Sequence, residues 1–352
     1  MMRMDDGLAY MLQYEHVAWY EDHVVKILDR RIYPIETKYV ICKDYREVAK
    51  AIKDMVTQSA GPYTAAGMGM ALAAFQSSHL KEKEQWEYLN EAAKVLANAR
   101  PTTASRMKLV VDGCLEIVKD SLGPGSDQVI FDYTVEMMNH RYQKINEVAK
   151  HLVDLFPQRG KIMTQCFGET IVGLMLRRAK EEGKEISLFV PETRPFLQGA
   201  RFTASVSYEM GFETTVITDN MPGFVLEREG IDLFTSAADA ITLDGYVVNK
   251  VGTFQIAVVA KYLKVPYFVT GIPDKGHPKI DTITIEQRDP YESISFQGKR
   301  HTLKGVKGYY PSFDITSPDL VSGVVTDFGV YSPYDLDSYM DQVKDGFYSF
   351  AV

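Results

Sequence analysis

Cysteine is scarce in this 352-residue chain: Cys42, Cys114 and Cys166 are the only three, and no two stand at the short spacing of a zinc or redox motif. That excludes a disulfide framework and points to a reducing compartment. Positive charge is also in deficit, with 39 Lys plus Arg against 47 Asp plus Glu and a net charge of -8. Such a chain does not track a nucleic-acid backbone, although one local cluster of cations can hold a small phosphorylated ligand. No run reaches the ~18 uncharged apolar residues of a membrane span. Arg3, Asp5, Asp6, Glu15, Glu21 and Asp22 interrupt any leader-like stretch, and no Asn-x-Ser/Thr acceptor occurs. We therefore expect a cytoplasmic protein with neither a nucleic-acid nor a membrane partner. Common catalytic motifs are missing as well: there is no G-x-x-x-x-G-K-[ST], H-E-x-x-H or G-x-S-x-G, and Gly67-Met68-Gly69 lacks the third glycine of a dinucleotide fingerprint.

What is present is a globular composition, 45% hydrophobic and 24% charged, long enough for about two domains at ~150 residues each. The first part predicts short strands (His16 to Leu28, Tyr33 to Ile41) and then helices. Asp44 stands as an N-cap with Glu47 three residues on, opening a helix from Tyr45 to Val56. The small-residue run from Gln58 to Gly69 turns tightly into an Ala-rich helix. Leu122-Gly123-Pro124-Gly125-Ser126-Asp127 is the clearest break, followed by one long helical pattern. We expect a mainly helical N-terminal domain with short strands over 1–126, a connecting helix over 127–156, and a second domain over 157–352.

From Lys161 onward short apolar segments alternate with amphipathic ones. Ile162 to Cys166, Ile186 to Pro191, Thr214 to Thr218, Ile231 to Thr235 and Val265 to Thr270 predict strands; Gly168 to Glu181, Ala200 to Met210, Pro222 to Glu229 and Thr253 to Leu263 predict helices. This alternation signals an α/β fold with a parallel sheet. Ligands of such sheets sit beyond the carboxyl ends of the strands, where Cys166, Glu192, Asp219, Asp239 and Gly271 fall. Cys166 opens a predicted helix whose amide end favours a thiolate; its bland alternative is a small buried hydrophobe. Asp239, between small apolar neighbours, suits a desolvated general acid, or equally a turn aspartate. Arg100, Arg194 and Lys250 are phosphate candidates that, taken singly, are also ordinary surface cations. His277 reads as a solvated loop residue, and Cys42 and Cys114 as packing.

Six strings taken together carry a family resemblance: Ala99-Arg100-Pro101-Thr102, the run from Glu192 to Arg201, Ile217-Thr218-Asp219-Asn220-Met221, the run from Val248 to Thr253, Ile285-Glu286-Gln287-Arg288-Asp289-Pro290, and Pro311-Ser312-Phe313-Asp314-Ile315-Thr316. With them the chain resembles the methylthioribose-1-phosphate isomerase family over most of its length, from about Ile35 to Pro333. That family shares ancestry with archaeal ribose-1,5-bisphosphate isomerase and the regulatory subunits of translation initiation factor two-B. The resemblance implies a helical N-terminal domain, a Rossmann-like C-terminal domain, a homodimer, a site between domains and a place in methionine salvage or a related shunt. It further implies Cys166 and Asp239 as the catalytic pair, with Arg100, Gln198, Asn249 and Lys250 on a phosphorylated pentose and Gln58-Ser59-Ala60 as the substrate loop. Typical relatives carry Arg-Gly-Ala in that loop and Asn-Ala-Gly after the cysteine, where this chain has Phe167-Gly168-Glu169.

These readings combine into an aldose-ketose isomerase for a C5-modified ribose 1-phosphate, preferably the 5-methylthio compound, needing no metal or nicotinamide because the reaction is redox neutral. Asp239 is first assigned the ring-oxygen proton and Cys166 the transfer between C1 and C2, with the reverse order left open. The alternatives are a 5-deoxyribose 1-phosphate isomerase, a ribose-1,5-bisphosphate isomerase, and a noncatalytic regulatory subunit.

Overall fold

A computed structural model describes residues 3–100 and 104–343, which pack as two compact units divided at 144/145. The first unit opens with α1 (Tyr14–Val17) and an antiparallel sheet of β1 (Ala18–Glu21), β2 (Val24–Leu28) and β3 (Tyr39–Cys42). Five helices follow: α2 (Tyr45–Lys53), α3 (Gly61–Ser77), α4 (Glu82–Ala97), α5 (Ala104–Val118) and α6 (Ser126–Val153), whose last turns belong to the second unit. The Asp44 carboxylate accepts the N–H groups of Arg46 and Glu47, and Glu47 accepts that of Lys43 at 2.7 Å, so the start of α2 is capped by residues its own sequence supplies. Helix α3 is buried nearly all round. Its Ala and Gly residues leave no bulky face, so neighbours pack on every side of it.

The second unit runs β4 (Arg159–Met163), α7 (Thr170–Glu181), β5 (Glu185–Pro191), a π-helical turn (Gly199–Thr203) continuing into α8 (Ala204–Glu209), β6 (Glu213–Ile217), α9 (Pro222–Arg228), β7 (Leu233–Ala237), β8 (Ala240–Ile241) and β9 (Val247–Lys250). It continues through α10 (Thr253–Tyr262), β10 (Tyr267–Thr270), the two-residue strands β11 (Ser295–Phe296) and β12 (Lys299–Arg300), β13 (Phe313–Thr316), β14 (Gly323–Val325), β15 (Val330–Tyr331) and α11 (Asp337–Met340). The main sheet has seven strands in the order β15-β14-β10-β7-β4-β5-β6, all parallel but β15. All five predicted strands lie in it, within two or three residues of their expected ends, so the chain has the α/β architecture that the alternation predicts. Its core joins Met163, Phe234, Val269 and Val324 of the sheet to Val225 and Leu226 of α9 and Ile256, Ala257 and Ala260 of α10.

Two features position the site. From β4 the chain winds outward through β5 and β6, then returns to place β7 on the other flank of β4, with Ile162 opposite Leu233 and Met163 opposite Phe234. The topological switch point thus lies between β4 and β7, where open α/β sheets bind ligands. A second, antiparallel sheet of β13, β9 and β8 sets Asn249 against Asp314 and Lys250 against Phe313.

Candidate active site

Cys166 follows β4 and Asp239 follows β7, the two strands flanking the switch point. The expected strand through Cys166 stops at Met163, because Cys166 takes a left-handed backbone at φ 60°, and α7 begins only at Thr170. Glu169, Thr193 and Leu197 are also left-handed, at φ 51°, 64° and 58°. Four such non-glycine residues in the loops after β4 and β5 represent backbone strain of order 1 kcal/mol or more each, and strain of this kind gathers at functional sites.

Hydrogen bonds tie these loops together. The Thr203 hydroxyl, in the π-helical turn that starts after Gln198, donates to the carbonyl of Cys166 at 2.5 Å. Gln165 Nε2 donates to the carbonyl of Val251 at 3.4 Å, linking the cysteine loop to the turn after Lys250. The Asp239 N–H donates to the carbonyl of Val248 at 2.8 Å, fixing that residue beside Asn249. Asp219 accepts the N–H groups of Thr193 and Arg194 at 2.8 and 2.7 Å, so its work is to hold the loop after β5. Asp314 accepts from Gly252 N–H at 2.6 Å and from Phe254 N–H at 3.2 Å, capping α10 and shaping the turn that carries Lys250. Gly252 sits at φ 110°, a conformation that only glycine adopts cheaply. Thus Asp239 and Lys250 lie within electrostatic reach of Cys166, Asn249 adjoins Lys250 in β9, and Gln198 precedes the turn that Thr203 ties to the Cys166 carbonyl.

Burial pushes the Cys166 thiol up to about 11; Lys250 pulls it back, and Asp239 and Asp219 push it further up. This corrects the expectation of a helix-stabilised thiolate: the helix starts four residues too late and desolvation dominates, so the group is a thiol at neutral pH. Asp239 is exposed, which also corrects the expected desolvated carboxyl: the bend after β7 turns it outward from its apolar neighbours. Lys250 is 5% exposed and stands 4.9 Å from the Phe313 ring centroid. Asn249, equally buried, donates from Nδ2 to Thr253 Oγ1 at 3.0 Å. Burial raises the Asp314 carboxyl to about 6, against the pull of its two N–H donors and Lys250.

The remaining candidates are placed as follows. Gln58 is buried in the first unit, its carbonyl accepting from the fully buried Arg30 guanidinium at 2.7 Å; Ser59 is left-handed at φ 57°, and Ala60 precedes α3. Arg100 is half-buried at the end of the described stretch in the same unit, and residues 101–103 of its motif lie outside the described residues. Arg194 is no phosphate ligand here, since its guanidinium donates to the carbonyls of Glu292 and Ser295 at 3.1 and 2.8 Å. His277 Nδ1 pairs with Thr282 Oγ1 at 3.0 Å in its loop. Cys42 and Cys114 are buried. Among the described residues no cluster of His, Cys, Asp and Glu could hold a metal ion, and no helix is long and apolar enough to cross a membrane. Asp314 and Thr203 were missed as site residues. Both lie in or beside strings singled out in the sequence, but only strand pairing and the π-helical turn reveal what they touch.

The model of the Initiation factor 2 subunit family matches residues 58–333. A methylthioribose-1-phosphate isomerase of Desulforudis audaxviator is 34% identical over 331 residues, covering 90% of this chain and 94% of that protein. One of Roseiflexus sp. is 33% identical over 334 residues with the same coverage. Among solved structures, 5-methylthioribose 1-phosphate isomerase from Pyrococcus horikoshii superposes with a TM-score of 0.82 at 26% identity, over 97% of this chain and 99% of that one. The delta subunit of translation initiation factor eIF-2B from A. fulgidus superposes with a TM-score of 0.80 at 28% identity, over 91% and 96% of the two chains. With a family model matching residues 58–333 and relatives 33–34% identical over 90% of its length, the chain belongs to the methylthioribose-1-phosphate isomerase family, within the Initiation factor 2 subunit family.

Proposed function

We propose that this protein is an aldose-ketose isomerase that converts 5-methylthioribose 1-phosphate into 5-methylthioribulose 1-phosphate. The observation that carries the reading is the placement of Cys166 and Asp239 after the two strands of the switch point, with the buried cation Lys250 within electrostatic reach of the thiol. A 1-phosphate cannot open through a free aldehyde, so the phosphate stays on O1 while the C1–O4 bond breaks. O4 must then gain a proton, the electron-deficient C1 must take a hydride from C2, and the O2 hydroxyl must lose its proton as C2 becomes the ketone. A group held as a thiol serves the first need, so Cys166 is the proton donor to O4 and Asp239 the acceptor from O2, an assignment that differs from the one expected from the sequence in both roles. Lys250, Asn249 and Gln198, with Arg100 and the loop Gln58-Ser59-Ala60, are the proposed contacts to the phosphorylated sugar. A second copy of the chain is the proposed partner.

A specific observation favours one other reading: the similarity to the initiation-factor subunit structure, which fits a noncatalytic ligand-binding protein. The test is a panel of ribose 1-phosphates carrying 5-methylthio, 5-deoxy, 5-hydroxy and 5-phospho groups, assayed for ketose formation with the wild type and with Cys166→Ser. We expect turnover of the 5-methylthio and 5-deoxy compounds within about 200-fold of each other, since an apolar pocket separates such groups by only ~1–3 kcal/mol. The 5-phosphate should be far poorer, because the loop carries Gln58 where the resemblance expects an arginine, one cation fewer for a second phosphate. Cys166→Ser should lose several orders of magnitude in turnover while staying folded. No ketose from any compound favours the binding protein, and a best rate on the bisphosphate would overturn the argument from Gln58.

A further inference from the structure

Tyr310 has no role in the assignments above. It immediately precedes the Pro311–Thr316 string, and its carbonyl accepts the N–H of Arg288 at 3.0 Å. Its side chain is 4% exposed. The Lys250 ammonium lies 5.9 Å from its ring centroid, and the Phe196 ring packs on it at 6.3 Å. Its hydroxyl is buried with no hydrogen-bond partner among the described residues, although Arg288, Glu292, Cys166 and Glu286 are all within electrostatic reach of it. Arg288 is taken by Glu286 at 3.1 Å.

A buried hydroxyl with nothing to bond lowers stability, so folded proteins keep few of them, and those they keep need a reason. Here the group lies close to the cation proposed for the phosphate and within electrostatic reach of the thiol proposed for O4. A pentose 1-phosphate held by those two residues would bring its sugar oxygens into that neighbourhood. We propose that Tyr310 is a further substrate-contacting residue whose hydroxyl donates a hydrogen bond to an oxygen of the opened sugar chain. The proposal rests on the isomerase reading and deepens it. Burial also raises the phenol above its ordinary range, which keeps the hydroxyl a donor at neutral pH.

The test is Tyr310→Phe, which removes one oxygen and leaves the ring against Lys250. Turnover of 5-methylthioribose 1-phosphate, its binding by calorimetry, and the melting temperature of the unliganded protein are measured beside the wild type. We expect kcat/KM to fall roughly five- to tenfold, the loss of one neutral hydrogen bond, while the melting temperature stays level or rises because an unpaired buried group has gone. A kcat/KM and a Kd both within twofold of wild type overturn the proposal. So does a lowered melting temperature with activity lost in step, the mark of a purely structural hydroxyl. If the wild type binds the sugar without forming ketose, the isomerase reading fails alone; roughly five- to tenfold weaker binding by the variant then still supports Tyr310, and unchanged binding refutes it. If the wild type neither binds nor converts the sugar, both fall together.

Discussion

Cys166 combines a left-handed backbone with a thiol that burial raises to about 11. Chemically that is a reluctant nucleophile, and it sets this cysteine apart from the activated thiolates of cysteine hydrolases. At pH 7.5 its thiolate fraction is roughly 300-fold below that of an ordinary exposed cysteine, whose pKa is ≈ 8.5. Iodoacetamide should therefore modify Cys166 at least about tenfold more slowly than it modifies glutathione, the greater nucleophilicity of a less acidic thiolate offsetting part of the difference. Because the folded pKa is the raised one, the rate should climb about tenfold per pH unit until it approaches pH 11. Cys42 and Cys114, pushed by burial to about 12, should lag further behind. Mass spectrometry of the tryptic peptides reads all three; rapid modification of Cys166 at neutral pH would return it to the role of base. The residue was legible as a candidate because it ends an apolar segment before a helical one. Its protonation state was not, because desolvation depends on what the rest of the chain packs around it.

At the scale of elements, the turn from β9 into α10 depends on Asp314 of the neighbouring strand β13, which accepts the Gly252 and Phe254 N–H groups. Its carboxyl is raised to about 6, so the folded protein holds that proton more tightly than the unfolded chain does. The sign follows: the carboxyl's contribution is intact below about pH 4 and is lost as pH rises toward 6, by on the order of 2 kcal/mol for a largely buried group. Asp314→Asn cannot titrate. Between pH 4 and 6 the stability of this variant relative to wild type should therefore grow by that amount, measured by urea unfolding; parallel curves would contradict the assignment. Strands β8, β9 and β13 went unread because segments of two to four residues show no period. The π-helical turn at Gly199–Thr203 was likewise read as plain helix. It begins where a Cβ on Gly199 would come within 1.9 Å of the Pro191 carbonyl oxygen, a contact invisible in a linear string.

For the whole molecule, the exposed apolar side chains bear on assembly. Met221 and Phe224 at α9, with Phe254, Val258 and Tyr262 on α10, are exposed large apolar side chains on two helices that pack together. Scattered apolar residues need no explanation, and five on adjoining helices make this face the proposed interface of the homodimer. If the homodimer forms through it, light scattering should give twice the chain mass for the wild type. The double variant Phe224→Glu with Val258→Glu should give a monomer that keeps its helical content. A dimer that survives both charges would place the interface elsewhere.

By itself the sequence determined the fold class, the five parallel strands with their intervening helices, the membership of the family, and the short list holding Cys166, Asp239, Asn249 and Lys250. It could do so because hydrophobic period, turn chemistry and long strings are local, and local patterns survive in one dimension. Only the tertiary structure decided that β7 returns beside β4, so that Cys166 and Asp239 flank one switch point, that the thiol is protonated, that Arg194 is spent on carbonyls, and that Tyr310 is buried with an unmatched hydroxyl. Each of these is set by which distant segments exclude water from a group or offer it a partner. Solvation and pairing across a fold are properties of neighbours in space, not of neighbours in the chain.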